Sequence, residues 1–386
     1  MKVRLGKGVH LVSRFPLSNS NNHNLINRVY LQKFSIVNMR TFKIFLIYIL
    51  CIGSLSLQAK APEFTGNMNS NKPHRIIRTC CSFGSEMQLI AIPGVKLTDI
   101  TSIDKIGIHQ YLGSENEKNG IIYTRRGGFI DMGHLRDQAD WTAYLYTQII
   151  KNRQTEKLSM VLGREGGEKN LQVTIPSNMS NPDLILLAGK IAYDLSVWHE
   201  IATWFGASTI PFVPERYSSF SVEDAYSNLL GVKIGIQALQ SELPYEMAVT
   251  NIISETLKSL DAVSNELETY MAMEAVRDIW WTRDKKLPSG KVLLQRQLQV
   301  YDCLQPWLVP GWMNPDQEKS ELKVPEYTSN GQMLTKFYEL DFRVNYKFPF
   351  RKMFPERKDR NITQNDFDRL LVQIADELEN KDRKLH

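Results

Sequence analysis

The spacing of apolar residues predicts a helical centre in this chain. From residue 131 to about residue 151 the apolar and aromatic positions recur at helical spacing, on a stripe formed by Leu135, Trp141, Leu145 and Ile149. A second helix is expected to begin at residue 181, because Pro182 occupies a first-turn position that proline tolerates. This second helix is predicted to extend over residues 181–206. Four more helices are predicted over residues 221–241, 244–260, 262–282 and 364–381.

Shorter runs between turn residues predict strands on either side of these helices. Residues 121–125 and 171–175 have the composition of strands, and residues 337–350 alternate enough for a strand or a hairpin. Residues 163–167 are predicted to be a loop, and residues 305–327, rich in Pro, Gly and Trp, a long one. The pattern is typical of the α+β class: a single, mainly helical domain over residues 76–386 with small flanking β-sheets.

The N-terminal region has the pattern of a targeting segment. Residues 39–43 form a short, positively charged segment, and residues 44–57 are almost continuously apolar. The small residues Ala59 and Ala61 follow. This is the order of a secretory signal peptide, predicted over residues 39–61. The apolar run is shorter than the ~20 residues that span a bilayer as a helix. A single-pass inner-membrane anchor at 44–57 is the alternative, because residues 1–38 add positive charge before it.

The segments around the signal show no globular pattern. Residues 1–38 lack sustained periodicity, and Met39 stands where a signal peptide should begin, which predicts a disordered extension from a misassigned start codon. Residues 62–75 are rich in Pro, Asn and Lys and are predicted to be a flexible lead-in. We therefore expect the body of the protein to be exported, with membrane contact only through the signal or signal-anchor segment.

The distribution of charge along the chain indicates which class of partner to expect. Nine of the 47 basic residues, and no acidic residue, lie in residues 1–61, which leaves 38 basic against 42 acidic residues in the body. An acidic body argues against nucleic acid as a partner.

Beyond the signal, the chain has an odd number of cysteines, Cys80, Cys81 and Cys303, whose pairing the sequence leaves open. A nucleophile at Cys80 or Cys81 lacks a base nearby in the sequence.

The first cluster that points to chemistry surrounds His134. Asp131, His134 and Asp137 repeat every three residues at a predicted helix start, so they lie on one side of the helix. An imidazole flanked by carboxylates suits metal binding or general-base work. The alternative is structural: Asp131 caps the helix and the acidic and basic residues form a solvated face.

Two later clusters supply further candidates. His199 and Glu200 lie late in an apolar helix, where charge is costly to bury without a partner. They are half of the zinc-protease motif, since position 203 is Thr and not a second His. Glu223 follows on the next helix, in the order used by zinc enzymes with two His and one Glu. Structural alternatives remain: a satisfied His–Glu pair, and a capping box formed by Ser221.

These clusters carry a resemblance to a known family. The segments 78–84, 120–141, 198–204 and 219–231, taken in this order, resemble a family of exported bacterial proteins catalogued as domain of unknown function 4056. The resemblance covers roughly residues 74–320. It implies the periplasm or outer envelope of a Gram-negative bacterium, and it implies no activity.

Two hypotheses of function follow from these residues. The first is a metal-dependent hydrolase of the envelope, with zinc held by His134, His199 and Glu223. In this hypothesis Glu200 is the catalytic base, and an anionic substrate or oxyanion is held by Arg125, Arg126 or Arg136. The second is a non-enzymatic envelope protein that binds a partner, glycan or lipid through the aromatic residues Trp280, Trp281, Trp307 and Trp312.

Overall fold

The residues described by the structure, a computed structural model, are 78, 83–84, 99–208, 215–284, 293–312 and 318–382. They all belong to one compact unit of the chain. The predictions for residues 1–38, 39–61 and 62–75, and those for Cys80 and Cys81, lie outside these ranges. Within them, none of the helices combines the length and apolar character that crossing a bilayer requires.

The described residues contain helices and small antiparallel sheets, which confirms the α+β class. Their α-helices are α1 (Met132–Lys151), α2 (Asn181–Trp204), α3 (Asp224–Gln240), α4 (Tyr245–Ser259), α5 (Glu266–Ala275), α6 (Phe350–Met353) and α7 (Phe367–Asp382). Their β-strands are β1 (Ile121–Thr124), β2 (Gly128–Asp131), β3 (Lys157–Arg164), β4 (Gly167–Thr174), β5 (Cys303–Leu304), β6 (Leu322–Lys323), β7 (Tyr338–Val344) and β8 (Asn361–Thr363).

Helices α1, α2 and α3 pack against one another at the centre. The start of α1 is fixed by Asp131, whose side chain accepts hydrogen bonds from the backbone N–H groups of Gly133 and His134. Ser180 caps α2 in the same way, by accepting from the backbone N–H of Asp183. Both α2 and α3 are buried along most of their length, which explains why their sequences are apolar on nearly every side.

A glycine allows α1 and α3 to approach closely. A Cβ atom added at Gly231 of α3 would lie 2.0 Å from the backbone oxygen of Leu135 in α1. No side chain larger than hydrogen fits at that distance, so the two backbones are in direct contact there. This contact joins the first turn of α1 to the second turn of α3, close to several of the candidate site residues.

The largest sheet has the strand order β3-β4-β7-β8, with antiparallel neighbours. Strand β7 alternates between buried and more exposed residues, as expected for a sheet with one face on the core. Its Phe342 stacks on Trp198 of α2 with ring centroids 4.0 Å apart. The two-residue turn between β3 and β4, with Gly166 at φ +65°, places Glu165 against α2.

Three local predictions differ from the structure. Strand β3 was not predicted, and the expected loop at 163–167 is the tight end of the β3–β4 hairpin. The helix predicted from Ser221 begins at Asp224, and no capping box forms, because the Ser221 hydroxyl donates to the Glu223 carboxylate instead. The helix predicted over 262–282 is only Glu266–Ala275 long: Asn265 caps its start, and Asp278, at φ +61°, follows its end.

Candidate metal centre

His134 lies in the first turn of α1 and is held by carboxylates. Its Nδ1 atom is 3.1 Å from Oδ2 of Asp131 and 3.4 Å from Oδ1 of Asp224. The other oxygen of Asp131 caps the helix. One buried carboxylate therefore caps the start of α1 and also lies against the His134 ring, while the role of this cluster in a functional site stays a prediction.

His199 lies near the end of α2 and is held by a residue that sequence analysis did not single out. Its Nδ1 atom is 2.7 Å from Oε1 of Glu165, and the other oxygen of Glu165 accepts a hydrogen bond from Lys169 Nζ at 2.8 Å. The indole of Trp198 donates to the backbone oxygen of Glu165 at 3.1 Å, which fixes the hairpin turn on the helix. Glu165 and Lys169 are both buried.

The two histidines face each other, and a third ligand-type side chain joins them. The ring centroids of His134 and His199 are 6.5 Å apart. His134, His199 and Glu200 each offer one ligand atom, and these atoms all lie within 4.8 Å of one another. Because zinc–ligand distances are about 2.0–2.2 Å, ligand atoms of one ion lie within about 4.4 Å of one another, so a small movement suffices.

Glu200 and Glu223 occupy different positions in this site. Oε2 of Glu200 accepts a hydrogen bond from the backbone N–H of Phe220 at 2.6 Å, and Phe220 has the unusual φ of +57°. Among the described residues, the group with converging ligand atoms contains Glu200 and not Glu223. Glu223 lies just before α3, where it accepts the 2.5 Å hydrogen bond from Ser221. The sequence predicted Glu223 as the ligand and Glu200 as the base.

Carboxyl groups dominate the surroundings of the two histidines. Burial raises the pKa of Glu223, and the charge of Asp131 adds to the effect, while Ser221 and His134 oppose it. Burial likewise raises the pKa of Asp224, and nearby Glu200, Glu223 and Asp131 raise it further. Carboxylates that raise one another's pKa in a buried site gain from a cation between them. The two histidines are therefore surrounded by buried carboxyl groups whose charged forms are costly.

The predicted arginines lie elsewhere. Arg125 is paired with Asp261 and Glu268, at 3.3 and 3.0 Å. The other two donate to backbone oxygens at about 3 Å: Arg126 to those of Ser259 and Glu318, and Arg136 to that of Gly107. None of the three lines the cavity in front of the histidines. Their role in holding a substrate stays a prediction.

The tryptophans of the binding hypothesis are largely buried. Trp280 and Trp281 are 7% and 0% exposed, and Trp280 packs edge-on against Trp307 with centroids 5.4 Å apart. Trp312 packs in the same way against Tyr123. These rings mainly pack inside the protein, so they offer little surface to a partner.

An open cavity of about 510 Å³, including solvent at its mouth, lies in front of the two histidines. Its α1 wall consists of His134, Asp137, Gln138 and Trp141, which lie on one helical face. Helix α2 contributes Leu195, Ser196 and His199, and Asn228 comes from α3. The two histidines therefore line a recess that is open to solvent on one side.

The sequence model of one protein family covers the whole of this site. It is the family described as "Protein of unknown function (DUF4056)", and its model matches residues 68–310. The chain belongs to this family. The match includes His134, Glu165, His199, Glu200 and Glu223, so the whole candidate centre lies within the DUF4056 region. No curated protein and no solved structure was found to match the chain.

Proposed function

We propose that this protein is a metal-dependent hydrolase of the bacterial cell envelope, with zinc held by His134, His199 and a glutamate. The observation that carries the proposal is the convergence of three ligand-type side chains from α1 and α2, with both Nδ1 atoms already beside carboxylates. Carboxylate–histidine pairs of this kind orient the second ring nitrogen toward a metal in zinc proteins.

The chain supplies a carboxylate for each of two roles. The carboxylate of Glu200 groups with the ligand atoms of the two histidines, and that of Glu223 does not. Glu200 is therefore the better candidate for the third metal ligand. Glu223 is then the candidate base, because a buried carboxylate with a raised pKa accepts a proton readily near neutral pH. The reverse assignment is the one predicted from sequence. A bound divalent ion would lower the pKa of a coordinated water to about 7 and so supply hydroxide.

Metal analysis of purified variants tests the proposal. The full chain should bind about one zinc per molecule, and His199→Ala should lose it, since three-ligand sites do not tolerate the loss of one imidazole. Glu200→Gln and Glu223→Gln separate the two assignments: the ligand variant loses zinc, whereas the base variant keeps zinc and loses hydrolytic activity. Glu168→Gln, on the same hairpin as Glu165, is the control. Full zinc binding by His199→Ala would refute the proposal.

Export is the second part of the proposal and rests on the pattern of residues 39–61. A reporter enzyme that is active only outside the cytoplasm, fused after residue 80, should be active in a Gram-negative host. The same fusion with two leucines in the apolar run, Leu46 and Leu50, changed to Arg should be inactive, because charge in the apolar run prevents insertion. An active variant would show that another route is used or that the segment is not the signal.

A further inference from the structure

The loop before α3 holds Glu200 of the candidate centre. Glu200 lies on α2, and its Oε2 atom accepts a hydrogen bond from the backbone N–H of Phe220 at 2.6 Å. Phe220 is buried and has a φ of +57°, which bulky residues rarely adopt. A backbone conformation of this kind persists only where the surrounding contacts impose it. Those contacts therefore determine the direction of the donor to Glu200.

A single later segment of the chain supplies these contacts. The side chain of Arg296 donates hydrogen bonds to two backbone oxygens of the loop, one of which is that of Ser219. The backbone N–H of Gln297 donates to the backbone oxygen of Phe220 at 2.9 Å. The oxygen of Ser219 and the N–H of Phe220 belong to one planar peptide group. Arg296 and Glu200 therefore hold opposite ends of the same peptide group.

Arg296 also brings a positive charge to this peptide group. Burial lowers the pKa of Arg296 to about 10, and the charge of Glu200 opposes this effect. The guanidinium therefore stays charged at neutral pH. A charged donor at the peptide oxygen polarises the group, which strengthens the hydrogen bond from its N–H to a carboxylate. The charge also favours the ionised form of Glu200, which is the form that binds a metal.

We propose that Arg296 is a positioning residue of the candidate metal centre. It holds the peptide group before Phe220, so that the N–H of this group fixes the carboxylate of Glu200 beside the two histidines. The inference rests on the proposed function, with Glu200 as the third ligand. Hydrogen-bond partners of metal ligands contribute to metal affinity, because they fix the orientation of the ligand. Without the guanidinium, the loop can relax from this φ and the donor to Glu200 moves away.

The zinc affinity of two variants tests this inference. Arg296→Met should bind zinc about tenfold more weakly than the parent, the usual effect of losing an outer partner of a ligand, measured by competition with a chelator. Arg216→Met is the matched control. The guanidiniums of Arg216 and Arg296 lie 4.9 and 5.4 Å from the ring centroid of Trp204. Within the described ranges the side chain of Arg216 makes no hydrogen bond to the loop, so this variant should bind zinc as the parent does.

A third variant and a spectrum distinguish positioning from a purely structural role. Arg296→Lys keeps the charge but can reach only one of the two oxygens, those of Ser219 and Tyr217, so its affinity should lie between those of Arg296→Met and the parent. The visible absorption of the cobalt(II)-loaded protein should change in Arg296→Met and not in Arg216→Met, because it depends on the geometry of the ligands. A structural role alone would lower the stability of the metal-free protein in urea and leave both spectrum and affinity unchanged.

Three outcomes would overturn the inference. The first is zinc affinity and a cobalt spectrum in Arg296→Met that equal those of the parent. The second is an equal loss of affinity in Arg216→Met, since this would assign the effect to general charge near Trp204. If Arg296→Met does not fold, Arg296→Lys decides the question, and an affinity equal to that of the parent in this variant is the third.

Zinc binding by the parent separates this inference from the proposed function. A parent that binds no zinc refutes the proposed function, and with it the role of Arg296. A parent that binds one zinc, with an unaffected Arg296→Met, refutes the positioning role alone. Zinc retained by Glu200→Gln would also refute the positioning role, because the third ligand would then be another residue, while the zinc site itself would stand.

Discussion

Each candidate metal-binding histidine has one ring nitrogen beside a buried carboxylate. Asp131 holds Nδ1 of His134, and Glu165 holds Nδ1 of His199. A carboxylate at Nδ1 favours the tautomer with its proton there, which directs the lone pair of Nε2 outward. The two carboxylates come from a helix cap and a hairpin turn, so the ring orientations depend on the local backbone structure at these two places.

Glu165→Gln tests this orienting role at a single residue. The amide keeps the size of the side chain but removes the charge shared by His199 and Lys169. We expect zinc affinity to fall roughly 10- to 100-fold, the usual effect of losing an outer carboxylate. Competition with a chelator of known affinity measures the change. Glu168→Gln, three residues further on, should leave the affinity unchanged, and an equal loss in both variants would contradict the orienting role.

The closeness of His134 and His199 was predictable from the sequence, but the side chains around them were not. His134 and His199 were paired because each lies beside acidic residues on a predicted helix, and periodicity is reliable there. Glu165 was missed because it lies in a hairpin turn, 34 residues from its partner, beside a strand that was not predicted. Glu223 precedes the first residue of α3, where helical periodicity does not determine the direction of a side chain. A sequence order of ligands therefore could not decide between Glu200 and Glu223.

At the scale of elements, the site depends on how closely α1 and α3 pack. Gly231→Ala should destabilise the protein by about 3 kcal/mol, in the upper part of the range for overpacking, because the new Cβ would meet the backbone of Leu135. This exceeds the roughly 1 kcal/mol that alanine normally gains over glycine within a helix. Urea unfolding measures the difference.

Gly189→Ala is the matched control for this prediction. Gly189 also lies within a buried helix, but its nearest neighbours are the ends of the Ile236 and Val232 side chains, the closest at 2.7 Å. The ends of side chains can move where a backbone oxygen cannot. Gly189→Ala should therefore lower the free energy of unfolding clearly less than Gly231→Ala does. Equal destabilisation by both variants would show that the backbone contact at Gly231 does not make a substitution there more destabilising than one at Gly189.

Elements with a sustained apolar periodicity were predictable from the sequence, and elements without one were not. Helices α1, α2 and α4 occur close to their predicted bounds because their apolar periodicity extends over three or more turns. Strand β3 has several exposed positions at the edge of the sheet, so its sequence alternates weakly. Helix α5 ends early because Trp280 and Trp281 are buried in the turn that follows it, a tertiary effect that local pattern does not contain.

At the scale of the whole molecule, a buried charge network joins segments that are distant in sequence. Arg78 donates to Glu117 at 2.6 Å, to Asp137 at 2.8 Å and to Asp140 at 3.0 Å. His109 lies 3.0 Å from Asp140 in the same network. The network connects the segment before β1 to the middle of α1, and two of its members, Arg78 and Asp137, line the cavity. Its ionisation state therefore bears on both stability and the site.

Glu117 makes this network sensitive to acid. Burial alone would raise its pKa, but the hydrogen bond and charge of Arg78, together with Arg136 and His109, lower it to about 2. A lowered pKa in the folded state contributes stability that is fully present above the unfolded pKa, about 4.5, and is lost as the pH falls toward 2. The shift corresponds to roughly 3 kcal/mol for this buried group.

Glu117→Gln should therefore destabilise the protein by roughly 3 kcal/mol at pH 7 and by little at pH 2, where about half of the parent carboxyl groups are protonated. Urea unfolding at several values between pH 2 and pH 7 measures the difference between the two proteins. Glu115→Gln, an exposed residue in the same short turn, should follow the parent at every pH. A difference that stayed constant with pH would mean that Glu117 stabilises the fold by its shape and neutral hydrogen bonds, and that acid unfolding begins elsewhere in the molecule.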